Sequence, residues 1–283
     1  MDYFSHSEVP SLCLRDRQRT EAFREAIARV VRPGDVVLDA GSGSGVLALL
    51  AARQGAKQVF AVEVDPALCD TLERNVATNG YAGVVQVICA DVRTVDLPVA
   101  VDVVLAEMIE TWLLDELQVP ALNALRAKGI VRPQTRVMPH QYDALLTLGQ
   151  MDFRFYGLEL PFPIHDWPDL VDQAVWLPMP FQPLCETTTA FTADLTTPLD
   201  SALDLTLAVT PQISGTVNAV CLSGLAHLGG GVTLGATPAF NGNKLLPIEP
   251  FEVVAGQPLR VRVTGSRGGS SGLGRFAVAR VPS

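Results

Sequence analysis

Residues 36–45, Val-Val-Leu-Asp-Ala-Gly-Ser-Gly-Ser-Gly, put an apolar run, a carboxylate and three alternating glycines in one stretch. Glycines at 41, 43 and 45 let a backbone approach a ligand closely, and a helix beginning after them points its N–H groups at it. Eighteen residues beyond Gly45 a second apolar run, Val59 to Val62, ends on Glu63. A carboxylate at a second-strand tip accepts hydrogen bonds from a ribose diol. The nicotinamide fingerprint requires glycine at 46, where this chain has Val46. That version also gives no reason for Asp39, whereas a cofactor with a charged amino-acid end and a sulfonium does. These residues therefore imply an adenosine-bearing cationic cofactor, S-adenosyl-L-methionine (product S-adenosyl-L-homocysteine), and a methyltransferase.

The elements that position these groups follow a βαβ rhythm. Phe23, Ile27, Val30 and Val31 lie near helical spacing over 16–31, and Pro33-Gly34 turns that helix into the first strand. Strands at about 36–39, 59–62, 84–88 and 101–105 alternate with helices at about 45–53, 66–78 and 112–127. A Rossmann-like parallel α/β sheet with N-terminal helices follows, covering 1–132. Past Arg132-Pro133 prolines and glycines become dense. Short β-rich runs then take over, at Ala144–Leu148, Leu203–Val209, Val217–Leu225 and Leu259–Val263. An all-β, barrel-like domain for substrate or oligomerisation is expected over 133–283. The Gly/Ser stretch 265–274 reads as a mobile loop.

Composition narrows the function. With 48% hydrophobic and 18% charged residues this is an ordinary folded chain. A net charge of −9 argues against nucleic acid as partner, since nothing neutralises a run of phosphates. Charge appears by position 2, with no apolar signal stretch and no segment of membrane-spanning length, so a cytoplasmic location is expected. Five scattered cysteines (13, 69, 89, 185, 221) lack metal-ligand spacing, so no metal and buried reduced thiols are expected.

The N-terminal half resembles the protein arginine methyltransferases, in the manner of a bacterial relative. Tyr3-Phe4 is similar to their Tyr-Phe signature, and Asp16-Arg17-Gln18-Arg19-Thr20 to their D-x-x-R-T segment. The most specific element is the run from Glu107 to Glu116, because a loop after strand four in that family carries two glutamates nine residues apart. The resemblance implies that Glu107 and Glu116 are catalytic, holding the acceptor nitrogen by charge-assisted hydrogen bonds. It assigns Arg19, Asp39, Gly41, Ser42, Gly43, Gly45, Glu63, Val64, Asp91, Val92 and Glu107 to the cofactor. Arg19 takes the cofactor carboxylate and Asp91 the adenine edge, because Arg93 stands where the family has an accepting acid. Tyr3, Phe4, Met108, Glu110 and Asn241 are candidate substrate contacts.

Acids at loop and helix starts also serve as caps, so Glu110, where the family has a small residue, is either extra recognition or simply exposed. The family's Thr-His-Trp loop, whose histidine organises the acceptor site, is replaced by Ala239-Phe240-Asn241. The family dimerises through an arm that is reduced here to about 156–176, so a homodimer stays one open reading, and the aromatic stretch 161–181 reads as a packed strap or, alternatively, an interface. The implied reaction is N-methylation of an amine or guanidine in a small molecule or peptide. A true protein arginine methyltransferase and a non-catalytic cofactor-binding scaffold are the alternatives.

Overall fold

The computed structural model describes residues 8–166, 180–269 and 276–281. Tyr3 and Phe4 lie outside the described residues, as do 167–176 of the reduced arm. Two helices, α1 (Glu8–Arg15) and α2 (Arg17–Val30), lead into β1 (Val36–Ala40). Then come α3 (Val46–Arg53), β2 (Gln58–Glu63), α4 (Pro66–Thr78), β3 (Val85–Cys89), β4 (Val103–Ala106), α5 (Gln118–Ala127) and β5 (Arg136–Met138). The five strands form one parallel sheet in the order β3-β2-β1-β4-β5. Strand order reverses between β1 and β4, which opens a crevice at their carboxyl ends. β1 and β2 are apolar along nearly their whole length because helices cover both faces.

β5 lies beyond Arg132-Pro133, so the parallel sheet extends past the change in sequence texture. The remainder is antiparallel. It comprises β6 (Gln141–Met151), the short β7 (Arg154–Phe155) and β8 (Leu158–Glu159), β9 (Ile164–Asp166), β10 (Phe181–Pro183), β11 (Thr188–Asp194) and β12 (Ala202–Val209). β13 (Gly215–Gly229), β14 (Val232–Leu234), β15 (Asn243–Val253), β16 (Leu259–Ser266) and β17 (Ala277–Arg280) complete it. A seven-stranded sheet is built on β10-β6-β13-β15-β9, and β12-β16-β17 form a second sheet. The β-rich runs read from the sequence all fall inside these strands. One apolar core runs through both halves, from Phe23 and Leu38 to Leu148, Val220 and Val263.

Four expectations need correcting. The helix read at 112–127 begins only at Gln118, because Trp112 and Leu113 take left-handed φ of 64° and 60°. Each such non-glycine residue costs of order 1–3 kcal/mol. Fully burying Trp112 and Leu113 together is worth more, about 5–10 kcal/mol by the usual truncation scale. The Trp112 ring packs edge-on against Phe191 and Phe276 at 5.3 and 5.5 Å, and its Nε1 donates to Leu145 O at 2.8 Å. Tertiary burial thus overrides local helix periodicity.

The cysteines are not all reduced. The β2-α4-β3 crossover brings Cys69 and Cys89 to a Cα separation of 5.8 Å, and they form a disulfide. Cys185 is buried, while Cys13 and Cys221 are only partly so. The start of the Gly/Ser stretch is tied down: Gly268 and Gly269 N–H donate to Leu113 O and Leu114 O at 2.9 and 3.0 Å. The described part of the expected strap is packed only in part: Ile164 and Phe181 lie against Met151, Phe153, Ala219 and Leu245, while Phe162 is 70% exposed. No helix among the described residues is long and apolar enough to cross a membrane.

Candidate active site

A cavity of about 300 Å³ opens at the carboxyl ends of β1, β2 and β4. One wall is the glycine loop, where Gly41 and Ser42 N–H both donate to Val62 O, at 3.0 and 2.9 Å. Gly45 has a φ of 82°, and a Cβ there would lie 2.2 Å from Leu72 Cδ1. Glycine at 45 is therefore a packing requirement between α3 and α4, and Gly45 itself does not line the cavity. Gly41, Ser42 and Gly43 do.

Glu63, at the end of β2, faces the cavity and is held by backbone alone. Oε2 accepts from Gly43 N at 2.8 Å, and Oε1 accepts from Val64 N and Asp65 N at 2.8 and 3.0 Å. Three donors fix the carboxylate plane and leave lone pairs for a further donor. Val64 lies beside it, more than half exposed.

Asp39 departs from expectation. Its side chain is buried beneath the loop and absent from the cavity lining. Oδ2 accepts from Ala48 N in the first turn of α3 at 3.1 Å. Burial raises its carboxyl to about 7. Asp39 thus anchors α3 to β1, because a strand-end side chain directed under a tight turn meets the helix's unpaired N–H groups. Asp91 and Val92 also fall outside the cavity lining. The Asp91 carboxylate is taken by its own neighbour, Arg93, whose Nε donates at 3.0 Å and whose hydrogen bonds hold the acid below its ordinary range.

The opposite wall comes from α2 and the loop after β4. Arg19 and Glu107 both line the cavity and form a nearly buried ion pair with each other. Arg19 is thus in place for a ligand carboxylate while already holding the first glutamate. Met108 sits over Gly41, where a Cβ would come 3.3 Å from its Cγ. Glu116 lines the same cavity, so the two glutamates converge as expected. Burial, with Glu110 nearby, pushes Glu116 up to about 8. Glu110 is 4% exposed, neither simply exposed nor free, and is ion-paired with Lys244. Burial raises it to about 7 against the pull of Lys244.

Asn241 lines the cavity with its amide already committed, accepting from Tyr142 OH at 2.6 Å and donating to Gly224 O at 2.8 Å. Its amide oxygen and nitrogen thus both brace the cavity wall at a position read as a substrate contact. Asp16, quoted above only as part of a motif, caps α2 by accepting from Arg19 N at 2.9 Å. Its other oxygen accepts from Thr237 Oγ1 and Ala239 N at 2.5 and 2.9 Å. One carboxylate thus ties the helix bearing Arg19 to the β-domain loop that closes the cavity. Its position just before a helical run marks the cap in the sequence, but nothing there marks its partners 221 and 223 residues away.

A five-stranded sheet of this order, a ribose-type carboxylate at the second strand tip and a glutamate loop after the fourth strand define a class. The fold is that of the protein arginine methyltransferases, and the chain resembles the class I S-adenosylmethionine-dependent methyltransferases. Residues 16–141 match the TRM5/TYW2 methyltransferase domain. Protein arginine N-methyltransferase 1 of Oryza sativa subsp. indica is 34% identical over 140 residues, 47% of this chain and 36% of the relative. An uncharacterized protein of Methanocaldococcus jannaschii is 38% identical over 126 residues, 44% and 48% of the two chains. The matched segment thus spans less than half of either relative. The Trypanosoma brucei PRMT1 enzyme-prozyme heterotetrameric complex with AdoHcy contains a chain that superposes with a TM-score of 0.76 at 20% identity. That superposition covers 94% of this chain and 92% of the other.

Proposed function

We propose that the chain transfers a methyl group from S-adenosylmethionine to the nitrogen of a cationic acceptor, a guanidine or amine in a small molecule or peptide. The observation that carries this reading is the convergence of Glu63, Arg19, Glu107 and Glu116 on one cavity beside the glycine loop. The residues fit the cofactor. Glu63 has its carboxylate oriented for a diol, and a Cβ on Gly43 would lie only 3.4 Å from Pro10 in α1, so bare backbone faces the space between them. Gly41, Ser42, Gly43, Glu63, Val64 and Arg19 would hold it, and when bound it supplies an electrophilic sulfonium methyl.

The chain's own work is alignment. Glu107 and Glu116 hold the acceptor nitrogen in line, and most acceleration comes from that orientation. Glu116, raised to about 8, is mostly protonated at neutral pH, and its ionised fraction, growing as pH rises, accepts a proton from an amine acceptor. The acidic wall attracts cations, in keeping with the chain's net charge of −9.

The test pairs a cofactor titration with a methyl-transfer assay on Arg/Gly-rich peptides, free guanidines and small amines. Glu107→Gln is expected to bind cofactor within a few-fold of the parent while losing about 100-fold or more in turnover. Full turnover in that variant, or failure of the parent to bind either cofactor form, would sink the assignment.

A further inference from the structure

The wall behind Glu116 holds a cation that the mechanism above does not use. Lys244, the second residue of β15, is fully buried, and its Nζ is ion-paired with both Glu110 and Asp115. A buried ammonium without partners would shed its proton, and the two carboxylates without it would take protons up. Its placement gives the triad a role beyond mutual neutralisation. Glu110 and Asp115 bracket the left-handed kink at Trp112 and Leu113, and Asp115 directly precedes Glu116.

The same stretch of the β domain grips the loop elsewhere. Thr111 Oγ1 donates to Gly242 O, and Trp112 N donates at 3.0 Å to the Tyr142 hydroxyl that bonds Asn241. No histidine stands at the Ala239-Phe240-Asn241 position, and the Asn241 amide oxygen and nitrogen each already bond a protein partner.

We propose that Lys244 is a positioning residue for the acceptor-holding carboxylate Glu116, organising the acceptor site from β15 where a histidine loop is missing. This rests on the reading of Glu116 as an acceptor group. Lys244 acts mechanically by pinning residue 115, and electrostatically by favouring ionised Glu116. The charged and titratable groups around Glu116 are Arg19 from α2, Cys13 from α1, Lys244 from β15, and Glu110 and Asp115 from its own loop, with His165 on β9 facing Lys244 and Asp115 behind them. Glu107 lines the same cavity. Arg19 and Lys244 favour the ionised form, whereas Glu110 and Asp115 oppose it. Removing Lys244 or removing the Glu110 charge therefore moves Glu116 in opposite directions, a signature that merely loosened packing does not produce.

The experiment uses the full chain as parent, Lys244→Met, Glu110→Gln, and the triple variant Lys244→Met/Glu110→Gln/Asp115→Asn. The triple leaves no buried charge unpaired, so it keeps the test alive where Lys244→Met does not fold. Acceptor KM and the pH profile of kcat/KM are measured, with amide hydrogen exchange over residues 110–117 and cofactor Kd alongside. Lys244→Met is expected to raise acceptor KM about tenfold, to speed exchange in the loop, and to leave cofactor Kd within about threefold. Its rising pH limb moves up by about one pH unit, while that of Glu110→Gln moves down. The triple variant keeps the raised KM and the fast exchange.

Limbs that do not move apart, or a triple variant with parental KM and loop protection, overturn the proposal. If the parent methylates no acceptor, the functional reading fails by itself. The exchange arm then decides: parental protection of 110–117 in Lys244→Met, or in the triple variant where that one does not fold, refutes positioning.

Discussion

Glu63→Gln is the sharpest test of the cofactor site, because the carboxylate is oriented by backbone alone. In the parent, Oε1 takes two N–H donors and Oε2 takes Gly43 N–H at 2.8 Å. A glutamine keeps the first pair through its carbonyl oxygen, but its NH₂ then faces the Gly43 N–H. Leaving that donor unpaired costs about 1–3 kcal/mol. The same change replaces a charge-assisted acceptor for a ribose diol by a donor, worth a further 1–2 kcal/mol or so. The unpaired donor costs stability in the free and the bound protein alike, so the loss in cofactor binding is the acceptor part, about 1–2 kcal/mol. At tenfold per 1.4 kcal/mol this is roughly 5- to 30-fold in Kd. Isothermal titration with S-adenosylmethionine reads the loss directly, and a melting curve checks that the variant is folded. A folded Glu63→Gln protein that binds cofactor as tightly as the parent would refute the reasoning and remove the ribose role from Glu63.

Gly45→Ala puts a Cβ 2.2 Å from Leu72 Cδ1 at a φ of 82°. A left-handed penalty of about 1–2 kcal/mol plus the overlap should lower the melting temperature and weaken cofactor binding, whereas Gly80→Ala, with open space around its Cβ, should pay the backbone term alone. Asp16→Ala removes a helix cap and two buried acceptor contacts together, at about 2–4 kcal/mol, readable by urea unfolding. Asp39 has its carboxyl raised from the ordinary 3.8 to about 7, so the folded state holds a proton the unfolded chain has lost. Its contribution is therefore most favourable below about pH 4 and declines as pH rises toward 7. Asp39→Asn, which keeps an acceptor for Ala48 N–H, should flatten that decline in a pH series of melting temperatures. An unchanged slope would show that Asp39 ionises normally.

Much of the α/β half was legible because parallel strands covered on both faces read as continuous apolar runs, and Pro33-Gly34 and the glycine loop punctuate them. The convergence of Glu63, Glu107 and Glu116 was foreseeable from spacing and family likeness together. What escaped depends on distant partners. Trp112 has helix-compatible neighbours in sequence, but its ring is claimed by Phe191 and Phe276. Cys69 and Cys89 meet only after a crossover folds. Lys244 looks like any strand lysine until Glu110 and Asp115 arrive beside it. Asp39 was misassigned because a carboxylate under a helix N-terminus and one facing a cation look alike in sequence.

The bond between Asp115 and Lys244 joins residues 129 apart, whereas Gly43 and Glu63 are separated by only 20. A ribosome therefore delivers every cofactor-facing residue long before it delivers the lysine that anchors the glutamate loop. Nascent chains carry the glycine loop and Glu63 before the 237–241 loop that closes the cavity over them, and Trp112 lacks its ring partners until Phe191 and then Phe276 emerge. Loss of the last strands should thus yield a product that is adhesive as well as inactive, because it bares the Trp112 ring and the Lys244 partners together.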